Sequence, residues 1–199
     1  PASTIYGSDA LGGVIHFRTK SPVLSVNEKL LVKGTGFIRY SSANNEKTGH
    51  ADGSLGWKKF GWLQSYTYSD FGDMKIGNVY PDKYYDFGRR KQYIETVNGT
   101  DKIVTNDDDR IQRFSGYQQW DITQKFLFKQ SDKVSHSLNF QYSNSSDVPR
   151  YDRLQDVRNF GGTIGTTLRY AEWFYGPQTR VMGAYELNVD RLGFLDAFK

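Results

Sequence analysis

A cluster of aromatic and positively charged side chains near residues 80–90 is the part of this sequence best suited to binding chemistry. Its members are Tyr80, Tyr84, Tyr85, Phe87, Arg89 and Arg90. Aromatic faces stack on flat ligands, and a guanidinium pairs with a carboxylate through two parallel hydrogen bonds. The cluster would therefore suit a planar, anionic ligand. The same residue types also anchor loops at an interface and pack against one another, and the residue types alone favour this second interpretation.

The sequence offers little for catalysis. It has no cysteine, which excludes a disulfide framework, a thiolate nucleophile and a cysteine-based zinc site. His136, Ser137 and Asn139 contain the residue types of a nucleophile set, but neighbouring residues of a strand point to opposite faces, so His136 cannot activate Ser137. Neither paired carboxylates nor a phosphate-cradling loop is found elsewhere. We therefore predict no enzymatic activity, no catalytic residues and no cofactor.

Metal and haem ligation are also poorly supported. The three histidines, His16, His50 and His136, fall in or at the start of predicted strands, which favours structural roles over haem ligation. The run 106–109 (Asn-Asp-Asp-Asp) could offer oxygen ligands to calcium, but its spacing matches no standard calcium loop. A solvated acidic loop is the favoured interpretation, and no metal site is predicted.

Large and polar side chains alternate with a period of two over most of the chain after residue 22. In the segment 134–143, His136, Leu138 and Phe140 share one face, whereas small polar residues share the other. The segments that follow this pattern are 30–41, 49–58, 60–69, 118–128, 134–143, 166–174 and 179–188. The sequence thus predicts about seven antiparallel strands, each of about 9 to 12 residues, the length that a tilted strand needs to cross a bilayer.

The connections between these strands differ in length. Tight turns are predicted near residues 58–60, 130–132 and 176–178, and long loops at about 71–117 and 145–165. Long loops at one edge and short turns at the other are typical of outer-membrane barrels. Within the longer loop, Asn98 and Gly99 lie between two short β-rich segments, which predicts a type I′ hairpin.

The composition agrees with a membrane-embedded sheet. Hydrophobic residues make up 37% of the chain, less than the usual level of about 45 to 50%, yet aromatic residues reach 16%. Disorder would explain few aliphatic residues but not many aromatic ones. A membrane barrel explains both, because one strand face meets lipid, the other is polar, and aromatic residues line the interfaces. No apolar run approaches the length of a transmembrane helix.

Charge argues against a nucleic-acid partner. The formal net charge is +4, and Lys and Arg are dispersed among Asp and Glu rather than clustered.

Seven strands cannot close a membrane barrel, because the smallest single-chain members have about eight. We therefore expect further strands after Lys199 and a partial up-and-down barrel in residues 23–199.

The opening segment 1–20 (PASTIYGSDALGGVIHFRTK) differs from the rest of the chain. Gly12 and Gly13 interrupt a predicted strand at 11–19, and on physical grounds either a close approach of another backbone or a bulge would explain them. With its Tyr6-Gly7-Ser8 step and the run 12–15 (Gly-Gly-Val-Ile), the segment resembles the C-terminal end of the plug domain of TonB-dependent outer-membrane receptors.

The resemblance implies an all-β, partial transmembrane barrel in residues 23–199, preceded in residues 1–22 by the end of an α/β plug domain. Tyr6, Gly7, Gly12 and Gly13 would be plug-core positions, which favours the close-approach explanation of the glycine pair. It also implies a location in the bacterial outer membrane, in contact with outer-membrane lipid.

By the same resemblance, a plug fills a barrel of about 22 strands, and a TonB-type energy-transducing protein acts through a region upstream of Pro1. The ligand would be an iron complex, either a siderophore or haem, captured by loops that include Tyr80, Tyr84, Tyr85, Arg89 and Arg90. Two alternatives stay open: a glycan importer of the same family, and a passive porin-like barrel. A soluble sheet sandwich that binds glycan is disfavoured by the rows of aromatic residues on one face.

Overall fold

The computed structural model describes residues 15, 18–79, 81–160, 163–192 and 195–198. Over these residues the chain is all-β, with 3-10 turns at Asp82–Tyr84 and Arg153–Gln155. In the described part of the chain no helix is long and apolar enough to cross a membrane. The strands are β1 (Leu31–Ser41), β2 (Glu46–Gly56), β3 (Phe60–Phe71), β4 (Met74–Lys75), β5 (Gln92–Val97), β6 (Thr100–Thr105), β7 (Ile111–Gln112), β8 (Tyr117–Lys129), β9 (Val134–Ser145), β10 (Val148–Pro149), β11 (Val157–Phe160), β12 (Thr163–Leu168), β13 (Phe174–Tyr175), β14 (Thr179–Leu192) and β15 (Leu195–Phe198).

Seven of these strands form one large antiparallel sheet in the order β1-β2-β3-β8-β9-β14-β15. Each strand pairs with the next sheet strand along the chain, so the sheet is an uninterrupted up-and-down meander. The pairing is regular over its whole length: for example, Asp52 lies opposite Ser65, which in turn lies opposite Thr123. The predicted antiparallel up-and-down sheet is confirmed.

The register sorts the side chains of the sheet onto two chemically different faces. The first, here called the aromatic face, carries Trp62, Phe126, Leu138 and Tyr185 in adjacent strands at one level. The Trp62 and Phe126 rings stack with centroids 6.1 Å apart, and the Tyr68 and Trp120 rings approach to 4.4 Å. The second, the polar face, carries Asp52, Ser65, Thr123 and Gln141 at one level.

Burial on the two faces is the reverse of that in a water-soluble sheet. On the aromatic face, Trp120 is 51% exposed and Leu138 46% exposed. On the polar face, Thr48 is 3% exposed and Ser69 6% exposed. Water-soluble proteins bury apolar side chains and expose polar ones, so the exposed aromatic face is the kind of surface that contacts another protein or a membrane.

The long connections lie together at one end of the strands. Residues 72–116 join β3 to β8 and residues 146–178 join β9 to β14, both at the end where residues 42–45 join β1 to β2. The other end of the strands carries the short connections 57–59 and 130–133. In the longer loop, β5 and β6 form the predicted hairpin, with φ of 52° at Asn98 and 74° at Gly99, as a type I′ turn requires.

The prediction of a sheet strand at 166–174 is wrong. β9 pairs directly with β14, starting from Asn144 opposite Thr179, which leaves no place for a strand between them. Residues 163–168 pair instead with β11 in a hairpin of the loop, and β13 pairs with β10. The predicted turn at 176–178 is accordingly the end of that loop, and β15 is the seventh strand of the sheet.

Candidate functional site

The chain segment 18–25 lies across the polar face. Lys20 extends its ammonium group to the Asp52 carboxylate at 2.7 Å and to the Thr35 hydroxyl at 3.0 Å. The Thr35 hydroxyl also donates to Asp52, and a ring nitrogen of His50 lies 3.1 Å from the same carboxylate oxygen. Asp52 therefore joins the segment to two strands of the sheet.

Two other contacts hold the segment at its ends. The Lys125 ammonium donates to the Thr19 hydroxyl at 2.5 Å, and the Ser25 backbone N–H donates to the Trp57 carbonyl at 3.0 Å. Between them the Val23 carbonyl passes so close to the sheet that a Cβ at Gly56 would collide with it, and a Cβ at Gly61 would lie 2.9 Å from it. Both glycines are thus required for the segment to approach the sheet closely.

The proposed plug-core residues Tyr6, Gly7, Gly12 and Gly13 lie outside the described residues. His16, and Tyr80 of the proposed capture cluster, lie outside them too. Their roles stay predictions. The predicted domain boundary between residues 22 and 23 falls inside the segment that lies on the polar face, and it too stays a prediction.

In the predicted capture cluster the described tyrosines are exposed, whereas the arginines are engaged by other groups of the protein. The Arg89 side chain donates to the Tyr85 carbonyl at 3.0 Å. Tyr84 and Tyr85 lie at the 3-10 turn of the longer loop and are 52% and 69% exposed. Arg89 forms a bidentate ion pair with Asp109, at 2.7 and 2.9 Å. A paired guanidinium offers less charge to a ligand than a free one, so the tyrosines are the more accessible part of this cluster.

Arg90 is a structural contact between the two long loops. Its side chain is buried, and its guanidinium lies 4.9 Å from the centre of the Tyr151 ring. Burial lowers the pKa of Arg90 and raises that of Tyr151, while the neighbouring Arg90 charge acts in the opposite direction on Tyr151. Asn106, also buried, donates to the Arg90 and Ile111 carbonyls at 2.9 Å each and fixes the backbone around it. For Arg90, loop packing is therefore the observed role.

A second group of cations lines a cavity that the sequence did not single out. The cavity has a volume of about 720 Å³ and lies between the 42–45 turn and the base of the longer loop. Lys75, Arg110 and Arg113 contribute its positive charge, and Asp73 contributes one carboxylate. Their separation in sequence hid them, because only the pairing of β4 with β7 brings residue 75 next to residue 111.

Asp108 organises the cations of this cavity. The Asp108 carboxylate forms ion pairs with the Lys75 ammonium at 2.6 Å and with the Arg110 guanidinium at 3.2 Å. The Lys75 ammonium, followed by the Arg110 side chain and backbone, holds the pKa of the Asp108 carboxyl well below its usual range. Arg113 donates to the Asn106 side chain at 3.2 Å and lies 5.9 Å from the Tyr93 ring centre. Lys75 and Arg110 are thus paired with a carboxylate. Arg113, in contrast, forms no ion pair with a carboxylate of the described residues.

The two described histidines have full sets of local partners. His50 contacts the Thr67 hydroxyl at 2.8 Å as well as Asp52, and the Phe37 ring stacks on it at 4.9 Å. His136 contacts the Tyr185 hydroxyl at 2.7 Å and the Gln130 side-chain oxygen at 2.8 Å. His136 lies on the aromatic face and Ser137 on the polar face. Within the described ranges, no three His, Asp or Glu side chains converge as metal ligands would.

Comparison of the chain with protein-family models, curated proteins and solved structures found no match.

Proposed function

We propose that this chain forms part of the wall of an outer-membrane β-barrel receptor of the TonB-dependent type, which takes up an iron complex such as a siderophore or haem. The observation that carries the proposal is the burial on the two faces of the sheet. Aromatic side chains are exposed on one face, while on the other face Glu46, Thr48, Ser54 and Ser69 of β2 and β3 are buried. A sheet between lipid and a polar interior has this pattern.

The open edges of the sheet support a larger closed structure. β1 and β15 each pair on one side only in the described sheet. An unpaired strand edge leaves backbone N–H and C=O groups without partners, which a membrane interior does not tolerate. Further strands would complete the barrel and satisfy these groups.

The segment on the polar face favours a plugged receptor over a passive porin. Residues 18–25 reach the sheet through Lys20, Val23 and Ser25, and Gly56 and Gly61 are bare where the segment passes. A chain segment fitted to the interior wall is consistent with a domain that precedes it inside the barrel. An open porin has no need of such a fit.

The cation-lined cavity gives the loops a place for an anionic ligand. The cavity has a volume of about 720 Å³ and lies at the end of the sheet strands that carries the long loops. Its positively charged lining residues are Lys75, Arg110 and Arg113. A guanidinium recognises carboxylate and similar planar anions through paired hydrogen bonds. Lys75 and Arg110 are paired with Asp108. Arg113 is therefore the group of this cavity that would pair with an anionic iron chelate, which a neutral glycan could not do.

The test is growth under iron limitation of a strain that lacks the full-length gene, with iron chelates, haem and oligosaccharides supplied in turn. We expect growth to fail on one iron source and to return when the full-length gene is restored. A defect on one oligosaccharide alone would favour the glycan importer. Recovery of the protein outside the outer-membrane fraction would contradict the proposal.

The cavity is tested in the same strain. The restored gene carries Arg113→Gln or, as a matched control, Arg158→Gln, an exposed arginine of the other long loop. We expect Arg113→Gln to raise the chelate concentration needed for half-maximal growth and Arg158→Gln to leave it unchanged. Equal behaviour of the two variants would exclude this cavity as the capture site.

A further inference from the structure

Residues of the two long loops line a second cavity, of about 590 Å³, which is open to solvent on one side. Its walls are mostly apolar, and they come from both loops: Ile94, Phe114, Pro149, Leu154, Trp173 and Phe174. Ile94 and Leu154 are buried, whereas the Trp173 and Phe174 rings are partly exposed. The cavity therefore has a closed apolar floor and aromatic groups that a ligand could reach.

The charged residues that line this cavity are all acidic, although Arg153 lies next to it, over the Trp173 ring. Asp73, Asp147 and Glu172 line it, and none of the described residues that line it is a lysine or an arginine. Asp73 accepts the backbone N–H groups of Ser115 and Gly116 at 2.8 and 3.2 Å, so it is held in place. Asp147 and Glu172 are exposed and form no ion pair with the other described residues. Their negative charge is available to a ligand.

The aromatic rings add to the attraction for a cation. Arg153 lies over the Trp173 ring at 5.7 Å, which shows that the ring can accept a cation, but Asp156 pairs with this arginine at 3.0 Å and balances its charge. Phe114 has a φ of 64°, in the left-handed region that few residues other than glycine adopt. Its ring is 45% exposed and lines the cavity, so an unfavourable backbone conformation holds an aromatic group there.

We propose that this cavity, between residues 72–116 and 146–178, binds a small organic cation with an aromatic or aliphatic body, such as a quaternary or protonated amine. The apolar walls would receive the body of the ligand, the Phe114 and Trp173 rings would face its charge, and Asp147 and Glu172 would balance that charge. A bare metal ion does not fit, because the walls are largely apolar and the three carboxylates do not converge as metal ligands would.

This site is separate from the one proposed for the iron complex. The cation-lined cavity and the acidic cavity share Asp73, but their other lining residues differ. Their charges are opposite, so the two cavities select ligands of opposite sign. The second proposal therefore does not depend on the first, and a receptor for a neutral or anionic nutrient could still bind an organic cation here.

The experiment uses the full-length protein in uncharged detergent micelles and measures binding by equilibrium dialysis against empty micelles. The probes are benzyltrimethylammonium as the cation, benzyl alcohol as an uncharged compound and phenylacetate as an anion. We expect binding of the cation only, and weaker binding in 0.5 M than in 0.05 M sodium chloride because salt screens exposed charges. Equal binding of the three compounds, or preference for phenylacetate, would overturn the proposal.

Two variants locate the binding. The double variant Asp147→Asn, Glu172→Gln keeps the size of both side chains and removes both charges. We expect it to weaken benzyltrimethylammonium binding on the order of fivefold, as two exposed ion pairs would. Asp107→Asn removes an exposed carboxylate of the longer loop outside this cavity and should leave binding unchanged.

A third variant tests the aromatic contribution. Trp173→Leu retains an apolar wall but removes the ring face, and we expect weaker cation binding with no gain in binding of benzyl alcohol. Unchanged binding in both the double variant and Trp173→Leu would place the cation elsewhere and overturn the proposal.

Discussion

On the polar face of the sheet, Thr48, Ser54 and Ser69 are almost completely buried, whereas on the aromatic face Trp120, Phe128 and Leu138 are each about half exposed. Both faces come from the same strands, and a shift of one residue in register would exchange them. A polar surface that is covered and an apolar surface that is not would suit a wall between a filled interior and lipid.

The two faces also differ in how their side chains interact. On the aromatic face, contacts run from strand to strand through rings, such as Phe60 with Phe126 at 6.2 Å. On the polar face, hydroxyl groups connect neighbouring strands: the Thr48 hydroxyl donates to Glu46 of its own strand at 2.6 Å and accepts from the Ser69 hydroxyl of β3 at 3.0 Å. Substitutions that carry charge should consequently have very different effects on the two faces.

The largest expected effect is that of Phe140→Arg, a charge placed midway along β9 on the aromatic face. An arginine on the lipid side of a barrel at the midplane costs about 2–4 kcal/mol. The measurement is the free energy of unfolding of the full-length protein in lipid vesicles, from a denaturant titration followed by tryptophan fluorescence. Gln141→Arg is the matched control, because the neighbouring residue points to the polar face. Equal destabilisation by both variants would contradict the assignment of the faces.

A smaller effect is expected when the polar face loses its attachment to segment 18–25. Asp52→Asn removes the charge that Lys20, Thr35 and His50 contact. Hydrogen bonds to a charged group contribute about 1.5–3 kcal/mol, so release of the segment should become more frequent by roughly tenfold or more. Amide hydrogen exchange of residues 20–25 would measure this release.

Asp121→Asn is the control for that experiment. Asp121 also lies on the polar face, but its carboxylate accepts from the Gln119 side chain of its own strand, at 3.0 Å, rather than from the segment. Faster exchange of the segment in both variants would show that loss of any polar-face carboxylate releases it. That result would contradict the assignment of this contact to Asp52.

The sequence predicted the sheet more accurately than the loops, and the reason is periodicity. Six of the predicted strands overlap strands of the sheet, because in each of them large and polar residues alternate over most of the length. The segment 166–174 lacked this regularity, since Glu172 interrupted its apolar positions. Its residues instead form short pairings within a loop, where local contacts such as Tyr170 against Trp173 at 4.6 Å replace alternation.

Candidate binding residues were harder to predict because loop geometry decides them. Arg90 had the residue type expected of a ligand contact, but its burial against Tyr151 depends on how two distant loops meet. Lys75 and Arg113 come together only through the short pairing of β4 with β7. A pattern of period two carries no information about such contacts.

Gln64 and Gln124 are two polar residues that lie opposite each other on the otherwise apolar aromatic face. They allow the contribution of a single polar contact on this face to be measured. The Trp62 indole donates to the Gln124 oxygen at 2.8 Å, and the Gln124 amide donates to the Tyr66 hydroxyl at 3.0 Å. A double-mutant cycle of Trp62→Phe and Gln124→Leu should give a coupling energy of about 1 kcal/mol. The same cycle with Trp120→Phe should give none, because Trp120 pairs opposite Tyr68, away from Gln124. Equal couplings would mean that the glutamine acts on the whole face rather than through this bond.

In the longer loop, charges are paired with one another rather than sorted onto two faces. The smallest expected effect is the loss of one such pair, around Asp108. The Lys75 and Arg110 contacts lower the pKa of Asp108 in the folded loop. Its stabilising contribution is thus complete above the unfolded value of about 4 and is lost as the pH falls towards the lower folded value. We expect the Ile76 and Ile111 amides, which bond to the Arg110 and Asp108 carbonyls, to lose protection slightly in acid, after correction for intrinsic exchange rates. In Asp108→Asn this acid dependence should disappear, while Asp107→Asn should retain it; an unchanged response in Asp108→Asn would assign the acid effect to another carboxylate.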